Sequence, residues 1–103
     1  MTISEMVGET QKIVELFKQI EPRKWSVEAM AVELCAEVGT LTDSIMIQEG
    51  YRQLRPGTSI DLEDDIADIL FMLIRISNFY NIDLTKAYRK VLVETRQKIE
   101  ARI

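Results

Sequence analysis

Apolar positions recur at helical spacing along almost the whole chain, and no stretch alternates as a strand would. Ile3, Met6, Val7, Ile13, Val14, Phe17 and Ile20 form a first stripe, which predicts a helix from about Ser4 to Ile20, ended by Glu21-Pro22. Val27, Met30, Leu34, Val38, Leu41 and Ile45 form a second, with Ser26 as its N-cap and Gly50 at its end. The segment to Ser59, containing Pro56-Gly57, reads as a loop. A third helix begins near Asp61 on the stripe Leu62, Ile66, Ile69, Leu73 and Ile76 and ends near Asn81. Asp83 caps a fourth, with Leu84, Tyr88, Val91, Leu92, Thr95 and Ile99 on one side. The expectation is one all-α domain over residues 1–103, a four-helix bundle. Leu70, Phe71 and Ile74 fall outside the third helix's main stripe, so a second copy is expected to complete the burial.

Two acidic rows run beside these stripes. Glu33, Glu37 and Thr40 follow i, i+4, i+7, and so do Asp61, Asp65 and Asp68. At roughly 100° per residue each row spans about 60° of its helix. If the two stripes pack together, the rows meet at the edge of the contact. Acids held beside apolar surface are costly unless a cation neutralises them. Oxygen ligands suit a hard cation, and Mg²⁺ is the usual choice where phosphates share the coordination, with Mn²⁺ an alternative. Glu37, Asp65 and Asp68 are the expected metal ligands, and Glu33 either binds metal or orients a ligand. Asp61 and Glu63 read as helix-start acids.

Composition narrows the chemistry. The chain has 103 residues, a formal charge of −4, no histidine and a single cysteine. Without a basic stripe, nucleic-acid binding is not expected. Without histidine, every His-dependent triad and the commonest zinc ligand are absent. Cys35 is expected to be a small buried residue. Glu5 and Glu9 interrupt any signal-peptide run, and I-L-F-M-L-I is too short to span a bilayer, so a reducing cytoplasm is the expected compartment. Arg75 lies two turns beyond Asp68, within reach of a substrate phosphate or of the acids themselves. Arg23 and Lys24 flank Trp25, and Arg52 and Arg55 occupy the loop after the second helix. Either pair could meet a phosphate chain, with solvated surface as the default. Trp25 is expected to anchor the core.

W-S-V-E-A-M-A-V-E-L-C-A-E-V-G-T-L, then L-E-D-D-I-A-D-I-L-F-M-L, then N-I-D-L, resembles the MazG-like all-α nucleotide pyrophosphohydrolases, nearest their short dCTP-pyrophosphatase-like branch. The likeness covers roughly residues 22–100. It implies hydrolysis of a nucleoside triphosphate to monophosphate and pyrophosphate, with Mg²⁺ held by E-x-x-E and E-x-x-D acids and a carboxylate-activated water. It also implies a homodimer or dimer of dimers. Glu37 matches the first acid, Thr40 stands where the second Glu belongs, Asp65 replaces a Glu, and Asp68 matches. Glu33 or Asp64 is the candidate to compensate, and Glu33 shares a catalytic role with Glu37. The fourth-helix K-x-x-x-N-x-x-R pattern falls on Val91, Thr95 and Lys98, making Thr95, Lys98 and Arg75 the candidate substrate contacts. Ile47 replaces that branch's base-packing Trp. The alternative is a helical protein of the same descent that binds a nucleotide or a protein partner without turnover.

Overall fold

The computed structural model describes residues 1–103 as four helices and no strand: α1 Ile3–Phe17, α2 Val27–Gln48, α3 Leu62–Phe79 and α4 Leu84–Glu100. Ser26 and Asp83 cap their helices through side-chain oxygens, as their positions predict, and Asp61, read as a helix-start acid, caps α3 in the same way. Thr2 and Glu5 close a reciprocal capping box on α1. Both long helices end in Schellman motifs. Gly50 takes φ +82 after α2, with Tyr51 N–H donating to Met46 O at 2.8 Å. Asn81 takes φ 54 after α3, with Ile82 N–H donating to Ser77 O at 2.9 Å. α1 stops at Phe17 rather than Ile20. Gln19 and Ile20 fold back in i→i−3 bonds, which tighten the chain before Pro22, a residue without an N–H to continue the helix.

α2 and α3 make the main contact, and α1 packs on the other side of α3. α3 therefore buries two flanks. Met72 and Ile74 become its most enclosed apolar residues, while Ile66 and Leu73, placed in the main stripe by periodicity, stay exposed. Small polar residues fill the close approaches, with Thr10, Ser44 and Ser77 all buried. Cys35, expected inside, lies exposed on the outer side of α2.

α4 touches little of the rest. It leans on α1 near its start, where the Ser4 and Thr85 hydroxyls are hydrogen-bonded at 3.3 Å, and buries no residue completely. The radius of gyration is 17.0 Å, against about 13 Å for a compact chain of this length. The accessible surface is 8369 Å², against about 6,000 Å² for a folded monomer of this mass. Tyr88, Val91, Leu92 and Ile99 contribute apolar area to that excess. No helix is long and apolar enough to cross a membrane.

Candidate active site

One cavity of about 520 Å³ opens between the linker after α1, the first half of α2 and the middle of α3. Glu33 and Glu37 enter it from α2, and Asp68 and Arg75 from α3. Phe17, Ile20, Pro22, Trp25, Phe71 and Met72 supply an apolar and aromatic wall. Phe17 and Phe71 meet edge to face, 6.4 Å between centroids, which ties the end of α1 to α3. The wall turns a cleft between two helices into a three-sided chamber with acids at one end.

The electrostatics of those acids are strained. Glu37 Oε2 is buried and has no hydrogen-bond partner. Burial pushes the Glu37 carboxyl above its ordinary value, and the charges of Asp68 and Glu33 push it further. Asp68 is also raised, first by desolvation at the cavity wall and then by Asp64, Asp65 and Glu33. Solvent reaches much of Asp68, which moderates the effect. Nothing cationic within the chain offsets this group, because Arg75 is engaged elsewhere. Its Nη2 donates to Glu21 Oε1 at 2.8 Å, with both side chains at least nine-tenths buried. Its guanidinium also lies over the Trp25 ring, 5.2 Å from the centroid. The ion pair fastens the linker to α3 and holds Trp25 as the cavity wall. Sequence periodicity placed Arg75 on the acidic row but gave no sign of Glu21, which lies outside any helix and 54 residues away.

Asp65 stands apart from the cavity acids. Ser44 Oγ donates to Asp65 Oδ2 at 2.7 Å, tying α2 to α3 one turn further along. Thr40 lies on the same side as Ser44, facing the loop after α2, and its hydroxyl donates to Ala36 O. Asp61 is the α3 N-cap and is no part of the row. The six row positions thus divide: Glu33, Glu37 and Asp68 share the cavity, while Asp65 and Thr40 border it from the neighbouring turn. No three carboxylates are arranged to grip one ion as they stand. Thr95 and Lys98 lie exposed on the projecting α4, and neither lines the acidic cavity of its own chain.

The donor chemistry nevertheless fits a hard divalent cation. All the candidate ligands are oxygens, one buried Glu37 oxygen is orphaned, and neighbouring carboxylates add to the desolvation that raises Glu37 and Asp68.

Comparison with known proteins gives a likeness in structure. No family model matches the chain, and no curated protein matches it. Among solved structures it is similar to the "putative pyrophosphatase YPJD from Bacillus subtilis", with a TM-score of 0.73 and 25% identity over 92% of this chain and 93% of that one. The all-helical fold is therefore shared, almost end to end, with a protein described as a pyrophosphatase.

Proposed function

We propose that the chain is a divergent Mg²⁺-dependent nucleoside triphosphate pyrophosphohydrolase of the MazG-like kind, converting a nucleoside triphosphate and water into the monophosphate and pyrophosphate. One observation carries the reading: Glu33, Glu37 and Asp68 face one cavity with an orphaned Glu37 oxygen and no neutralising cation, in a fold shared with a described pyrophosphatase. Mg²⁺, held by Glu37, Asp65 and Asp68, would supply charge neutralisation for the phosphate oxygens.

The chain's own groups do the rest. Trp25, Phe17 and Phe71 offer the nucleoside an apolar wall that excludes water from one side. Glu33 and Glu37 are placed to accept a proton from an attacking water. Ser44 holds Asp65 through Oδ2, which leaves Oδ1 as the oxygen it could offer an ion. Arg75 acts through Glu21 and Trp25, keeping the wall closed. The exposed face of α4 and the excess surface favour a homodimer, in which α4 of a second copy carries Thr95 and Lys98 towards the site.

The test is pyrophosphate release from each of the eight common ribo- and deoxyribonucleoside triphosphates with Mg²⁺ or Mn²⁺. Release from at least one, lost in Glu37→Gln and Asp68→Asn, supports the proposal; release from none refutes it. The second reading, nucleotide binding without turnover, rests on Thr40 in an acid position and on carboxylates not preassembled around one point. It predicts nucleotide-dependent stabilisation with no product.

A further inference from the structure

A second cavity, about 540 Å³, lies between the later half of α2 and the loop of residues 49–61. Its charge is opposite to that of the first. The acidic cavity sets Glu21, Glu33, Glu37 and Asp68 against Arg75 alone. The loop cavity sets Arg52 and Arg55 against Asp43 alone. In a chain of net charge −4, this is a local reversal of sign.

The partners within the cavity leave one cation free. Arg52 Nη1 donates to Asp43 Oδ1 at 2.6 Å, which consumes the one acid present. Arg55 has no ion-pair partner, and its five N–H donors are uncommitted. The backbone adds donors. Of the loop residues that line the cavity, the amides of Arg52 and Thr58 bond to backbone carbonyls, whereas those of Leu54, Arg55, Ser59 and Ile60 do not. The hydroxyl hydrogens of Thr40, Ser44 and Thr58 are already given to protein acceptors. The free donors are thus guanidinium and amide N–H groups with the Ser59 hydroxyl, a set that suits a polyanion.

The loop is shaped rather than slack. Thr58 N–H donates to Arg55 O at 3.1 Å across Pro56-Gly57, and Gly57 has φ +78, the geometry of a Pro-Gly type II turn. That turn sets the position of Arg55 at the cavity rim. Thr40 completes the argument. It lies on α2 three residues after Glu37, about 4.5 Å along the axis, so the two cavities adjoin at the acidic row. An acid at this position would face Arg52 and Arg55 and cancel their excess charge.

We propose that the loop cavity binds the pyrophosphate group directly, through Arg55 and the free loop amides with Arg52 in support, without a bridging metal. The site stands on the loop's own geometry; only the identification of its ligand with the leaving group of the reaction rests on the hydrolase reading. The nucleoside end then occupies the aromatic cavity, and the acids lie between the two.

The experiment is calorimetric titration of inorganic pyrophosphate into metal-stripped protein at low ionic strength, with orthophosphate in parallel. The expected result is one pyrophosphate site per chain, at least tenfold weaker in Arg55→Ala and weakened in Thr40→Glu. Asp68→Asn should bind within twofold of wild type, and orthophosphate at least tenfold more weakly than pyrophosphate. Both Arg55 and Thr40 are exposed, so the variants should keep the wild-type circular dichroism spectrum. Absence of pyrophosphate binding, an unaffected Arg55→Ala, a loss in Asp68→Asn, or equal affinity for orthophosphate each overturns the proposal. Pyrophosphate binding in a protein that hydrolyses no nucleotide would overturn the hydrolase reading alone. Hydrolysis without such binding would overturn the loop site alone.

Discussion

Removing Glu21 should destabilise this protein more than removing any other surface-loop residue. Its carboxylate is the ion partner of Arg75, the side chains being 9% and 8% exposed and 2.8 Å apart. Deleting one member of such a pair leaves an uncompensated buried charge, at a cost of about 3–5 kcal/mol. The Trp25 ring still faces the guanidinium, and the adjoining cavity admits water, so the lower figure of about 3 kcal/mol applies to Glu21→Ala. For a domain of this size each kcal/mol lowers Tm by about 4–8 °C, so the fall should be about 12 °C or more. Replacing both charges by apolar residues, Glu21→Leu with Arg75→Met, should recover most of the loss, because neither charge is then left stranded. The assay is thermal and urea unfolding of wild type, both single variants and the double, at one protein concentration. A coupling of at least about 2 kcal/mol is expected. Strictly additive effects, or a Glu21→Ala loss below about 1 kcal/mol, would refute the claim that the pair clamps the linker to α3.

In metal-free buffer, Asp68→Asn should be more stable than wild type at pH 7, because it removes a charge that burial and neighbouring acids disfavour. The folded state holds its proton more tightly than the unfolded state, so the penalty is full above the raised pKa and disappears as pH falls to the ordinary carboxylate range; the two melting curves should converge there, and Mg²⁺ should stabilise wild type only. Thr40→Glu should raise Mg²⁺ affinity or turnover by adding a carboxylate beside the row, read by calorimetry and initial rates. Leu92→Glu, on the exposed face of α4, should dissociate the proposed homodimer in sedimentation velocity without changing the helical circular dichroism signal. Ile74→Ala, at the most enclosed apolar position, should cost about 2–5 kcal/mol in urea unfolding.

The helices and their caps were legible because Ser26, Gly50, Asp61, Asn81 and Asp83 each carry a local signal that needs no tertiary knowledge. The pairing of Glu37 with Asp68 was legible too, since both border apolar stripes at a fixed angle. The burial of Met72 and Ile74 over Ile66 and Leu73 was not, because periodicity ranks faces but does not say that α3 is sandwiched by α1 as well as α2. The same gap hid Cys35's exposure and the tie of Arg75 to Glu21, a contact across 54 residues. Nor could spacing reveal that Thr40 faces the loop cavity, or that Ser44 ties Asp65 to α2 by a hydrogen bond between helices.

The central claim is attack of water at the α-phosphorus, directed by Glu33, Glu37, Asp65 and Asp68. Phosphorus-31 NMR of the best nucleoside triphosphate substrate, with Mg²⁺ in ¹⁸O-labelled water, reads it directly. The account predicts monophosphate carrying the label and unlabelled pyrophosphate, with no diphosphate. Label in pyrophosphate, release of orthophosphate with diphosphate, or no turnover would contradict it.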